Sequence, residues 1–259
     1  LGPRGVDIVA FSPEKRSMEW RRELGFTDDM VVISYISRLV IEKGLGVFAD
    51  VVRRLRAAGA VLIGKANMQE LAFGVVTTNP VFGQCRNPWN PEYIPGGYSS
   101  GPAAAVAGFL SYGSLGSDTG GSIRFPASCC GLVGMKPTYG RVSRFGAMPL
   151  SFSLDHIGPL TRTVADCALL TQIIAGKDTN DSTSYYQPKP DFLSGIESGI
   201  QGLKIGVPTT YGNGPSGFLD QLHPEVQREM ESSLAVFRSL GAKVVEIPLP
   251  ENFEISNNM

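Results

Sequence analysis

Residues Ile94 to Ser128 read IPGGYSSGPAAAVAGFLSYGSLGSDTGGSIRFPAS, a run in which few side chains are large enough to fill a core. Its middle, Ala103 to Leu110, predicts a helix, with Pro102 acceptable in the first turn and Ser99 or Ser100 near the cap. Ordered glycine costs backbone entropy, so Gly120 and Gly121 call for a reason, either positive φ or close approach of another group. One reason is tight turns between closely packed small elements. The other is chemical: Asp118-Thr119-Gly120-Gly121-Ser122 forms a loop whose exposed N–H groups could hold a developing oxyanion beside a serine nucleophile.

Outward from this run, the flanks alternate helix and strand. Phe48 to about Ala58 carries an apolar stripe of Phe48, Val51, Val52 and Leu55, with Arg53, Arg54 and Arg56 on the outer face. Gly59 ends that helix, and Ala60 to Gly64 reads as a short buried strand that delivers Lys65. A second helix covers about Val164 to Ala175, begun by Thr163 as N-cap and closed by Gly176. Asp178 to Gly202 is polar and rich in Pro, Ser and Tyr, which predicts a long surface connection. Beyond it, LKIGVP reads as a strand. Pro224 to Leu240 is the clearest amphipathic helix, with Val226, Met230, Leu234, Phe237 and Leu240 on one face, and KVVEIPL follows as a strand. The succession predicts α/β architecture.

Composition excludes several functions. With 259 residues, 42% hydrophobic and 18% charged, the chain can bury a core as one large domain or two small ones. A formal net charge of -1 carries no electrostatic footprint for nucleic acid, and no block of like charge suggests a membrane surface. Cys85, Cys129, Cys130 and Cys167 show no paired CxxC spacing, so reduced, packed thiols and a cytoplasmic setting are expected, with no metal. The longest apolar stretches are too short or too interrupted to span a bilayer.

A serine nucleophile needs a base, and the chain has two histidines, His156 in SLDHIGP and His223 ahead of a helix. Either can be a structural or capping residue. Lysine can serve instead if burial lowers its pKa, and Lys65, at the end of an apolar strand, is the candidate; a snorkelling strand-end lysine is the competing reading.

GKANMQE, RNPWNPEYIPGGYSSGPAAAVA, GSDTGGSIRFPASCCGLVGMKPTYGRVSR and SLDHIGPLTRTVADCALL resemble, in order and spacing, the amidase signature family over residues 49–250. The resemblance implies a three-layer α/β/α sandwich around a mixed sheet and a Ser-Ser-Lys triad that hydrolyses amides through an acyl-enzyme without a cofactor. It places Ser122 on the nucleophile, Lys65 on the base, and the N–H groups from Thr119 through Gly120, Gly121 and Ser122 on the oxyanion hole. Asp118 and Arg124 fall on a supporting ion pair. The family's first serine after Gly-Gly, held by a cis peptide, relays the proton; here Tyr98 stands in that place with Ser99 beside it, and Pro102 departs from the usual continuation. Tyr98 predicts reduced turnover.

Residues 1–48 read differently. GVDIVAFSP and the run through Arg38 and Lys43 resemble the hinge of a nucleotide-sugar glycosyltransferase, with Ser37 where that family has Gly. This predicts a chimera, a glycosyltransferase-like segment at 1–48 and an amidase-signature domain at 49–259 that is incomplete because the family's domain continues past Met259. The expected partner is a small-molecule amide, with no direct nucleic-acid or membrane contact and a homodimer as the assembly considered. Gly146 to Pro159 and GKDTNDSTSYYQP look closer to broad bacterial amidases than to the amidotransferase component that releases ammonia for glutamyl-tRNA amidation, which is the alternative. The rival from another class is an inactive fusion or sugar-nucleotide binder.

Overall fold

The computed structural model describes residues 32–33, 49–72, 74, 76–80, 82–186, 188, 190–210 and 222–248. Arg38 and Lys43 lie outside them. The chain divides into two units, Leu1–Ser194 and Gly195–Met259.

In the first unit a three-stranded antiparallel sheet runs in the order β5 (Gly113–Asp118), β7 (His156–Thr161), β6 (Val133–Gly134). Alternation along β7 sends Ile157 and Leu160 to opposite faces. Ile157 packs with Val51 and Leu55 of α1 (Ala49–Ala57), Leu170 and Ile174 of α4 (Val164–Ile174), and Val142. Leu160 packs with Ala103 and Ala107 of α2 (Ser100–Ala107) and with Ile123, Ala127 and Cys130 around α3 (Arg124–Cys130). Helices therefore cover both faces of β7. The strands leave little room for side chains on either face: a Cβ at Gly113 would meet Leu170 at 2.6 Å, and one at Gly116 would meet Ser99 Oγ at 2.5 Å.

The single mixed sheet expected from the resemblance is not what hydrogen bonds define among the described residues. Two parallel residues join β1 (Val32–Ile33) to β2 (Val61–Leu62), and a hairpin joins β3 (Thr78–Asn79) to β4 (Gly83–Gln84), each apart from the antiparallel sheet. The strand expected at 60–64 shortens to Val61–Leu62, and it is half-buried rather than buried. Burial resumes at Lys65.

Helix ends follow their chemistry. Thr163 Oγ1 accepts from the Asp166 N–H at 3.1 Å and caps α4, as the sequence predicts. Arg54, expected on an outer face, instead reaches across to the end of α4, donating to Ala175 O at 3.0 Å and Lys177 O at 2.8 Å while Asp50 Oδ2 holds its Nε at 2.5 Å. All of α2 is buried, because its alanines allow backbones to approach closely.

The second unit pairs β8 (Lys204–Thr210) with β9 (Lys243–Pro248) in parallel, joined through α5 (Pro224–Ser239). The imidazole of His223 caps α5, Nδ1 accepting from the Glu225 N–H at 3.4 Å. The expected apolar stripe is present but open: no residue of α5 is buried, and Val226 and Leu240 are 53% and 56% exposed. Among the described residues no helix is long and apolar enough to cross a membrane.

Candidate active site

Lys65 follows β2 and is buried. Loss of solvation lowers its pKa, which raises the fraction of neutral amine available to act as a base. Two residues on, the main chain of Asn67 lies against the first turn of α2: Gly101 N–H donates to Asn67 O at 2.9 Å, and a Cβ at Gly101 would sit 2.1 Å from that oxygen. Glycine is required there by backbone approach, and this approach brings the Lys65 segment to the Tyr98–Gly101 turn.

That turn contains the cis peptide, between Gly97 and Tyr98, at the position the family resemblance assigns to the relay. Tyr98 is half-buried, and its hydroxyl makes no hydrogen bond to a described residue. Ser100 holds the turn from below, donating to Gly96 O and sharing a 2.5 Å hydrogen bond with Thr77 Oγ1. Ser99, fully buried, turns away from the relay position: its Oγ donates to Ser117 O at 3.2 Å and accepts from Ser117 N–H at 3.1 Å. Its own N–H donates to Ser122 O at 3.3 Å, which joins the turn to the Asp118–Ser122 loop.

Asp118 organises that loop. Its fully buried carboxylate receives Arg124 Nη2 on Oδ1 and Nε on Oδ2, both at 3.0 Å, with the main-chain N–H of Gly121 at 2.8 Å and of Ile123 at 3.1 Å. Burial alone would raise the Asp118 pKa, but the guanidinium and the N–H donors outweigh it and hold the carboxyl below its ordinary value. The Gly121 N–H is thereby committed. The N–H groups of Thr119, Gly120 and Ser122 keep no acceptor among the described residues, and neither does Ser122 Oγ, on a residue 4% exposed.

His156 is not available as the serine's base. Its Nδ1 bonds Leu154 O at 2.5 Å and lies 3.3 Å from Asp118 O, so it carries the proton, and Nε2 accepts from Lys136 Nζ at 3.1 Å. Burial, then the Lys136 charge, lowers its pKa and keeps it neutral. Among the described residues no group of three or more His, Cys, Asp or Glu could hold a metal ion.

A cavity of about 250 Å³ reaches the loop at Ser117 and Thr119; Ser122 and Lys65 do not line it. Phe145, Met148, Leu150 and Phe152 form its apolar side, and Arg144, Asp155 and Asp181 its charged side. Sequence reading missed this wall. Arg144 Nη1 donates to Phe152 O and Nη2 to Tyr139 Oη and Thr183 Oγ1, while Asp181 accepts the Arg144 N–H at 2.7 Å. The segment expected as a surface connection buries Asp178, Asp181 and Ser184, with Ser143 Oγ donating to Asp178 Oδ2 at 2.6 Å. The signal was present: Asp178 accepts the Asn180 N–H and Asp181 the Thr183 N–H, two successive Asx turns spelled by D-T-N-D-S-T.

The model of the amidase family matches residues 48–257. The chain belongs to the amidase family. A glutamyl-tRNA(Gln) amidotransferase subunit of Trichlorobacter lovleyi is 52% identical over 197 residues, 76% of this chain and 39% of the relative. The crystal structure of the same amidotransferase subunit from Thermotoga maritima is 46% identical with a TM-score of 0.71, covering 77% of this chain and 43% of that one. The peptide amidase of Stenotrophomonas maltophilia is 37% identical, also with a TM-score of 0.71, over 80% of this chain and 43% of its own. The chain thus spans about two-fifths of the curated relatives' length. These identities reverse the order expected from the sequence, placing the amidotransferase ahead of the peptide amidase. They lend no support to a glycosyltransferase-like reading of residues 1–48, since none of these matches is to a glycosyltransferase.

Proposed function

We propose that the chain carries the acylating centre of an amide hydrolase of the amidotransferase kind, releasing ammonia from a carboxamide. The observation that carries this is the Ser122 hydroxyl, without a partner among the described residues, on a loop whose Thr119, Gly120 and Ser122 N–H groups likewise keep no acceptor among them, joined through Ser99 and Gly101 to the segment of buried, pKa-lowered Lys65. In this reading the neutral Lys65 amine takes the Ser122 proton, Oγ attacks the amide carbon, and the Thr119 and Gly120 N–H groups receive the oxyanion. Lys65 returns the proton to the departing nitrogen, and water then cleaves the ester. No cofactor enters. By analogy with the amidotransferase relatives, the ammonia would serve amidation of glutamyl-tRNA within a larger assembly.

Tyr98 stands in the proton path. A phenol places its oxygen several ångströms farther from the main chain than serine does, and acid–base transfer contributes about 10²–10⁴-fold. The reading therefore expects slow phosphonylation of Ser122 by a small fluorophosphonate, Oγ bonding to phosphorus as fluoride leaves, faster by about 10² or more in Tyr98→Ser, and none in Ser122→Ala or Lys65→Met. Equal rates for the parent and the Tyr98→Ser form refute the relay argument. Absence of labelling at Ser122 in both forms refutes the hydrolase reading.

A second reading, an amidase for apolar amides, is favoured by one observation: Phe145, Met148, Leu150 and Phe152 line the cavity beside Thr119. Ammonia release from glutamine compared with that from a phenylalkyl carboxamide separates the two.

A further inference from the structure

Asp155 and His156 lie opposite the start of the Asp118–Ser122 loop, with Asp118 and His156 directly paired in the β5–β7 register. Two side-chain contacts cross from this pair to the loop. Thr119 Oγ1 donates to Asp155 Oδ1 at 2.5 Å, and His156 Nδ1 approaches Asp118 O at 3.3 Å. The geometry points to Asp155 and His156 as positioning residues that fix the direction of the Thr119 N–H for the oxyanion, an inference that rests on the function proposed above.

The physical reason is the planarity of one peptide. Asp118 C=O and Thr119 N–H belong to the same trans unit and point in opposite directions. Drawing the carbonyl toward His156 turns the N–H away from it, to the side where that N–H has no acceptor among the described residues. Tethering the Thr119 side chain to Asp155 removes the remaining rotation of the unit.

The brace is itself held. Asp155 Oδ2 accepts the Leu150 N–H at 2.8 Å and the Ser151 N–H at 3.0 Å, so its carboxylate is anchored before it meets Thr119. Lys136 Nζ donates to His156 Nε2 and to Pro137 O, which keeps the proton of the neutral ring on Nδ1, facing the carbonyls. The lowered pKa of His156 agrees with a neutral ring. Neither residue touches the reacting atoms; each acts through Thr119.

The test uses the whole chain carrying Tyr98→Ser, with Thr119→Val, Asp155→Asn, His156→Phe and Thr119→Ser added singly. The readouts are the maximal rate and half-saturating concentration of Ser122 phosphonylation by a small fluorophosphonate, and amide hydrogen exchange of peptides spanning 115–123. The brace expects Thr119→Val and Asp155→Asn to lower the maximal rate by about 10- to 100-fold, with half-saturation changed less than about twofold. His156→Phe, which frees the Asp118 carbonyl, lowers the rate in the same direction. Thr119→Ser, which keeps the hydroxyl, retains the rate and the slow exchange, whereas exchange quickens in Thr119→Val and Asp155→Asn. Unchanged phosphonylation in Thr119→Val overturns the inference. If Ser122 is never phosphonylated the proposed function fails on its own, and unchanged exchange in Thr119→Val and Asp155→Asn then still overturns the brace.

Discussion

Replacing Arg124 with Met removes two charge-assisted hydrogen bonds, at 3.0 Å each, from a carboxylate with no solvent exposure. Stripping one partner from a buried pair typically costs about 3–5 kcal/mol. Two features reduce that here. Asp118 keeps the N–H donors of Gly121 and Ile123, and the Arg124 side chain is 53% exposed, so water screens much of its charge. A loss of about 2 kcal/mol near neutral pH follows.

The pH dependence identifies the cause. In the parent, the folded pKa of Asp118 lies below its ordinary value, so its contribution is present above the unfolded pKa of about 3.9 and is lost as pH falls through the lower folded value. Without Arg124, burial raises the folded pKa, and the variant relieves its penalty by binding a proton. The stability gap between parent and variant therefore narrows as pH falls from about 7.5 to 4.5. Urea unfolding at the two pH values measures it, and the His156 contribution, common to both proteins, cancels. A gap that is constant or wider at the lower pH, or one under about 0.5 kcal/mol at the higher pH, refutes the account of Asp118 as a charge held by Arg124.

Gly101→Ala forces the Asn67 main chain, and with it the Lys65 segment, to shift. The expected loss is about 2 kcal/mol in urea unfolding, whereas Gly120→Ala, which meets nothing within 4 Å, stays within about 0.5 kcal/mol. Lys136→Met removes the positive charge beside His156, so NMR titration of that ring gives a higher pKa than in the parent, and an unchanged value counts against the Lys136 contact. The thiols of Cys85 and Cys130, pushed up by burial to about 11 and about 12, resist alkylation by iodoacetamide near pH 8 in the folded protein; mass spectrometry showing rapid modification at either site contradicts their packing.

The helices are legible because their signals are local. The stripe of Val51 and Leu55, the Thr163 cap and the alanines of α2 each lie within one turn of the feature they determine. The two-residue strands β3, β4 and β6 carry no period to read. The polar clasp at Asp178–Ser184 reads as surface because composition reports what residues can do in water; Arg144 and Ser143, over thirty positions earlier, meet it in the fold. The same division runs through the site. Sequence spacing marks Asp118 to Ser122 as a loop rich in N–H donors, yet it cannot tell which donors are already engaged. Asp118 takes the one from Gly121, the Thr119 N–H keeps no acceptor among the described residues, and only the antiparallel register sets His156 beside the Asp118 carbonyl. Donor supply is thus a property of the loop, whereas in the proposed brace donor direction is set by Asp155 and by His156 of β7, so the brace expects substitutions at 155 and 156 to slow Ser122 labelling without any change in the loop's own sequence.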